Sequence, residues 1–279
     1  MNTLINNLYI VSTPIGNLED ITFRALEVLK NSDIILCEDT RRSIKLLSHY
    51  KIKKKLISYH KFNEKKKLTN IIEYFNEGKI LSLISDAGTP LLSDPGRLLV
   101  NKCLENGVKI TPIPGVSSIT TALSVSGFKD QFLFYGFLPK TENELIKILT
   151  SLSKNNYSQV FFVPSKKINF YINHFKNFFS GRQILIAKEI TKIHEEYFRD
   201  EVDKLKIFKN PIKGELTVVI SESNTKSKKF DKEKIVNKIK KYLKKYSVKD
   251  TVKFILEKEN ISKKKIYELC LEIKNEKNN

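Results

Sequence analysis

Apolar and polar positions follow two rhythms along the first half of the chain. Short, mostly apolar runs at Leu8–Val11, Asp33–Cys37, Lys55–Tyr59, Ile80–Ile84 and Val108–Ile113 predict buried strands. Between them, apolar residues three or four apart predict helices over Asp20–Leu29, Arg42–His49, Leu68–Phe75 and Leu98–Glu105. Asp20 stands where it could cap the first of these, and Gly78 and Gly107 where they could close the last two. Strands apolar throughout, each separated from the next by a helix, predict a parallel sheet covered on both faces. Ligands bind such sheets beyond the carboxyl ends of the strands.

A helix over Ser117–Val125 leads into a second α/β segment, with strands expected at Phe132–Gly136, Val160–Val163, Ile184–Ala187 and Leu216–Ile220. Glu222–Lys229 is polar and reads as a linker. From Asp231 the rhythm is helical only, with stripes at Ile235, Ile239 and Leu243, then Val252, Ile255 and Leu256, then Ile266, Leu269, Cys270 and Ile273 behind a Ser262 cap. The turn Glu259-Asn260-Ile261 resembles that of a helix-turn-helix unit, and a small appendage with a solvated lysine face fits the pattern equally. The expected domains are 1–115, 116–223 and 224–279.

Composition narrows the class. The formal net charge is +19, which attracts polyanions such as nucleic acid; a bias toward Lys, Asn and Ile is the alternative source of that charge. Cys37, Cys103 and Cys270 are far apart and form no C-x-x-C pair, so neither a disulfide framework nor a structural zinc site is expected, and no metal is. No apolar run is long enough to span a bilayer, so a cytoplasmic protein without membrane partners is expected.

Three loops carry the chemistry. They are Thr13-Pro14-Ile15-Gly16-Asn17, Ser85-Asp86-Ala87-Gly88-Thr89-Pro90 continuing to Gly96, and Pro112-Ile113-Pro114-Gly115-Val116-Ser117-Ser118. Each follows a predicted strand, and Gly and Pro make each tight and stiff. Any one would be an ordinary turn; together at one sheet edge they can cradle a small molecule. No two glycines stand one residue apart, so the dinucleotide fingerprint is absent, as are the P-loop and the G-x-S-x-G elbow.

Spelled out as LYIVSTPIGNLEDITFRALEVLKNSDIILCEDTRRS, SDAGTPLLSDPG and PIPGVSSITTALSVSG, these blocks closely resemble the bacterial RsmI-type 16S rRNA (cytidine ribose-2'-O) methyltransferases of the tetrapyrrole methylase superfamily. The resemblance implies two α/β domains with the active-site cleft between them and a small C-terminal helical appendage. It implies S-adenosylmethionine as methyl donor, a homodimer, and a cytidine ribose in the decoding region of small-subunit RNA, free or in the assembled subunit, as acceptor. It assigns donor contacts to Pro14, Gly88, Thr89, Pro90, Ser93, Ser117, Ser118, Val163 and Ile190. The chain departs from the family where F-Y-E-S-P-H-R-L reads Phe161-Phe162-Val163-Pro164-Ser165-Lys166-Lys167-Ile168, and where H-x-H-N-E reads His60-Lys61-Phe62-Asn63-Glu64.

Methylating a ribose hydroxyl needs in-line positioning and partial removal of its proton by a carboxylate or histidine. Candidates are Asp39, His60 and Asp86; Asp39 could instead cap a helix and His60 be an ordinary loop histidine. Arginine is scarce here, yet Arg41, Arg42 and Arg97 flank the motifs, and a guanidinium fork suits phosphate. Lys263, Lys264 and Lys265 open the last helix and are candidate RNA contacts, or a solvated face. Two other functions stay open: methylation of a tetrapyrrole small molecule, and a non-catalytic RNA- or ribosome-binding protein on the same fold.

Overall fold

The computed structural model describes residues 7–223, 232–243, 246–256 and 263–275. The chain divides into two compact units, residues 1–223 and 224–279.

The first unit holds two five-stranded sheets. The first is wholly parallel and built from β1 (Asn7–Val11), β2 (Ile34–Cys37), β3 (Lys55–Ser58), β4 (Leu81–Ile84) and β5 (Lys109–Ile113), in the order β3-β2-β4-β1-β5. Helices α1 (Phe23–Asn31), α2 (Thr40–His49), α3 (Glu64–Asn76) and α4 (Arg97–Glu105) connect the strands. Alternate strand residues serve two cores: Leu8, Leu36 and Leu83 pack with Ile71, Phe75 and Leu99, while Val11, Ile35 and Ile84 pack with Ala25, Leu29 and Leu47. That double burial is why these strands read as continuous apolar runs.

Helix α5 (Ser118–Ser124) leads to the second sheet, formed by β6 (Phe132–Phe137), β7 (Ser158–Pro164), β8 (Gln183–Lys188), β9 (Glu196–Glu201) and β10 (Glu215–Ile220), in the order β6-β7-β10-β8-β9. Only β6 and β7 run parallel; the other pairs are antiparallel. Helices α6 (Glu142–Leu152) and α7 (Ile168–Phe178) cover one face around Leu145, Leu149, Phe161 and Phe175. α5 covers part of the other, around Ile119, Val160, Leu185 and Val219.

One expected cap moves. Asp20 lies in a short 3-10 turn (Leu18–Asp20) started by Asn17, whose side chain accepts from the Glu19 amide. The chain is extended again at Ile21, so helix α1 starts later. Thr22 caps it, its hydroxyl accepting from the Ala25 amide at 3.1 Å. Thr22→Ala is expected to cost about 1 kcal/mol, lowering the melting temperature by roughly 2–4 °C in a domain of this size, as calorimetry would read.

In the second unit, α8 (Lys232–Leu243), α9 (Val248–Leu256) and α10 (Lys263–Asn275) enclose a small core of Ile239, Val252, Ile255, Ile266 and Cys270. The greater part of the expected linker, the Glu259-Asn260-Ile261 turn and the Ser262 cap lie outside the described residues. Lys263, Lys264 and Lys265 form the first turn of α10. No helix among the described residues is long and apolar enough to cross a membrane.

Candidate active site

The loops after β1, β4 and β5 are bonded to one another. Thr13 and Gly88 exchange both main-chain hydrogen bonds, each at 2.9 Å, in an isolated antiparallel bridge. The Ser12 and Thr89 hydroxyls lie 3.1 Å apart, and the Thr89 hydroxyl donates to the Val116 carbonyl at 3.2 Å. Thr13 adds a hydroxyl bond to the Ser85 carbonyl. Gly88 (φ +78°) makes this junction possible, and Gly115 lets the third loop close on Ser12, whose Cβ would lie 2.8 Å from an added methyl group. Such cross-linking holds the rim rigid before any ligand arrives.

Against these loops lies the second sheet, and between them is a cavity of about 330 Å³, within the range of small-molecule sites. The loops contribute Gly88, Thr89, Ser93, Ser117 and Ser118 to its wall. The second sheet contributes Phe162, Val163, Ile190, Leu216 and Thr217, with Phe137 at one side. A neighbouring cavity of about 310 Å³ is more polar, bounded by Pro14, Gly16, Ser43, Lys45 and Lys192. Ile15, Arg42, Asp86, Ala87 and Glu215 line both, so the two meet there.

The pattern agrees with the comparisons. The family model described as "Tetrapyrrole (Corrin/Porphyrin) Methylases" matches residues 7–206. The "Ribosomal RNA small subunit methyltransferase I" of Mesomycoplasma conjunctivae is 44% identical over 239 residues, covering 85% of this chain and all of that one. Its counterpart from Thermotoga maritima is 44% identical over 221 residues, covering 78% of this chain and 99% of that one. This chain belongs to that methyltransferase family. In fold it is similar to the methyltransferase CobJ, with a TM-score of 0.59 over 77% of this chain and 94% of that one at 16% identity.

Within this family member, the expected donor contacts fall mostly together. Gly88, Thr89, Ser93, Ser117, Ser118, Val163 and Ile190 share the first cavity. Pro14 lies on the second cavity, and Pro90 is buried beside the junction of loops without lining either. The Val163 side chain is turned into the core under α7, so its share of the wall is chiefly main chain. Phe162, Phe137 and Thr217 went unrecognised in the sequence, because they meet only through strand pairing: Phe162 lies opposite Thr217 in the antiparallel β7–β10 register and opposite Phe137 in the parallel β6–β7 register. Val163 and Ile190, assigned from the resemblance, were the sequence signals for that wall.

Of the three acid–base candidates, only Asp86 reaches the cavities. Its Oδ1 accepts from the Asp39 amide at 3.1 Å, and its Oδ2 lies 3.4 Å from Arg42 Nη1. Asp39 caps α2, accepting from the Arg41 amide at 2.9 Å and from the Arg41 guanidinium at 3.0 and 2.7 Å. Those bonds hold its carboxyl down at about 2. His60 sits in a loop knot, its ring held beside the Phe62 amide and Asn63 Nδ2, both donors, so that one ring nitrogen accepts a hydrogen bond within the loop. Arg41 is thus committed to Asp39, Arg42 faces both cavities, and Arg97 is exposed at the first turn of α4.

Asp86 has acidic company. Burial pushes the Glu38 carboxyl up, helped by the nearby charges of Asp94 and Asp86. Burial also raises Asp94, with Asp86 adding to the effect and a Ser85 hydrogen bond opposing it. A carboxyl raised in the folded state stabilises the fold most when protonated, below the ordinary carboxylate range. It loses that contribution as pH rises through the raised value. Asp94→Asn is therefore expected to raise the melting temperature at pH 7, with the gain vanishing near pH 3.

The walls of the cleft are also strained. Leu91 and Ser93 on one side, and Glu189 and Thr191 on the other, hold φ between 50° and 71° although none is glycine. Gly16 touches the far side so closely that an added Cβ would lie 2.9 Å from the Ile190 carbonyl. Lys192 locks that side, bonding Glu189 at 2.9 Å and Glu215 at 2.8 Å.

Proposed function

We propose that this chain transfers a methyl group from S-adenosylmethionine to a ribose hydroxyl of a cytidine in small-subunit ribosomal RNA, within the decoding region. The observation that carries this reading is the pair of cavities meeting at Asp86 and Arg42: the more apolar one for the donor and the more polar one for the acceptor. The relatives above, named as methyltransferases of that RNA, support the choice of acceptor.

The residues present fit the donor. The first cavity offers apolar walls at Leu92, Ile119, Phe137 and Phe162 for a purine ring, hydroxyls at Ser93, Ser117, Ser118 and Thr217 for polar groups, and the Asp94 carboxylate for a cation. Gly88 leaves room that a side chain would take. When bound, the donor supplies an electrophilic methyl group, so no metal is required. Thr89 holds the loops in register from beneath, through Ser12 and Val116.

Asp86 accepts the hydroxyl proton as the new bond forms, and Arg42 steadies that carboxylate and faces a phosphate of the acceptor strand. Lys45 adds positive charge along the second cavity. By their place in the sequence, Lys263, Lys264 and Lys265 are candidate contacts, and Arg97 supplies further cationic surface for the RNA in this reading. It also includes a cytoplasmic homodimer, for which the exposed Phe132 and Phe137 on edge strand β6 offer an apolar face.

Mass spectrometry of ribosomal RNA from cells with and without the gene tests the reading: one ribose methyl group on a small-subunit cytidine should disappear. Unchanged RNA, together with transfer to a porphyrinoid by the purified protein, would replace this function with small-molecule methylation.

A further inference from the structure

The second sheet carries another concavity, which the transfer reaction leaves unused. It is a groove of about 600 Å³ between the end of β8, the start of β9 and the strap of residues 206–214 that enters β10. Two half-buried aromatic rings form part of its lining: Phe198 and Phe208 meet edge to face with centroids 4.9 Å apart. The strap is fixed at Phe208 by one side chain. Asn169 Oδ1 accepts from the Phe208 amide at 2.9 Å, and Asn169 Nδ2 donates to the Phe208 carbonyl at 2.9 Å.

Charge on the groove is one-sided. Lys188 is paired with Glu196 at 3.1 Å, and Glu189 with Lys192, so those four cancel. Lys209 and Lys213 remain, both exposed and both without an ion-pair partner among the described residues. His194 stands exposed beside them. The groove meets the donor cavity at Gly214, which lines both.

Aromatic rings next to uncompensated cations suit a ligand with flat rings and regular negative charge, which is the chemistry of single-stranded nucleic acid. We propose that this groove holds RNA flanking the nucleotide being methylated, with Lys209 and Lys213 on its phosphates and the Phe198–Phe208 pair against a base. The proposal rests on the functional reading above for what occupies the adjoining cavity. The groove would then select the strand and its direction of entry, leaving the chemistry to Asp86.

Co-sedimentation with assembled small subunits tests it, comparing the wild-type chain with Lys209→Ala/Lys213→Ala across a salt series. Both residues are exposed, and equal heats of S-adenosylmethionine binding in the two proteins would show that the variant is folded. The variant should bind subunits roughly ten-fold more weakly, with a log–log salt slope shallower by about 1.4, as expected for two lost phosphate contacts to a single strand. In methyl transfer its KM should rise while kcat stays unchanged. Equal affinity and equal slope in the two proteins would overturn the proposal, as would failure of both to bind. If the wild type binds subunits in this salt-dependent way yet transfers no methyl group to them, the groove stands and the functional reading falls.

Discussion

Asp86→Asn is expected to lower kcat for methyl transfer by roughly 10²–10⁴ while leaving the donor affinity close to that of the wild type. Asparagine keeps the oxygen that accepts from the Asp39 amide, so the loop after β4 should hold its shape. What it loses is the negative charge beside Arg42 and the ability to take a proton. Two comparisons isolate the effect. Asp39→Asn should act mainly on stability, since Asp39 serves the start of α2 and the Arg41 guanidinium. His60→Gln should disturb the loop before α3 more than the transfer step, because the ring bonds within that loop and lines neither cavity. Full turnover by Asp86→Asn would shift the role of base to Asp94, which borders the same cavity.

Gly88→Ala should weaken donor binding sharply and also destabilise the fold. At φ +78° an L-residue is strained by about 1–2 kcal/mol, and the added carbon would meet Ile15 Cγ2 at 3.3 Å. Gly88 is also one half of the reciprocal bridge to Thr13, so any relief of strain moves two loops together. A drop of roughly 2–8 °C in melting temperature is the structural part of this expectation. Gly127→Ala separates that part from the binding part: its φ is +72°, but nothing lies within 4 Å of the added carbon. Both variants should lose comparable stability, and Gly88→Ala alone should lose donor affinity, as titration calorimetry would show. Equal donor affinity in both would mean that Gly88 serves only the turn.

The first sheet was legible because its central strands β1, β2 and β4 are buried on both faces and its loops are spelled with Gly and Pro. The second was less so. β9 reads Glu-Tyr-Phe-Arg-Asp-Glu, an edge strand whose charges hide it among loops. Helices α6 and α7 carry apolar stripes that were not assigned in advance, though Leu145, Leu149 and Leu152 have the right spacing. In the site, the loop residues followed from the motifs, whereas Phe137, Phe162 and Thr217 depended on long-range pairing that no local pattern encodes. Asp20 and Thr22 show the same limit on a small scale: both are good caps, and the turn begun by Asn17 decides between them.

Of the five non-glycine residues with left-handed backbones among the described residues, four stand by the donor cavity: Ser93 lines it with Leu91 in the same loop, and Glu189 and Thr191 flank Ile190 on another wall. A chain selected for thermal endurance alone would have relaxed them. An engineer seeking a hardier catalyst could therefore begin with glycine or asparagine at Ser93 or Thr191, and should watch turnover as melting temperature climbs. The tension between durability and speed in this enzyme would then sit in a few main-chain torsions, apart from the packing of its cores.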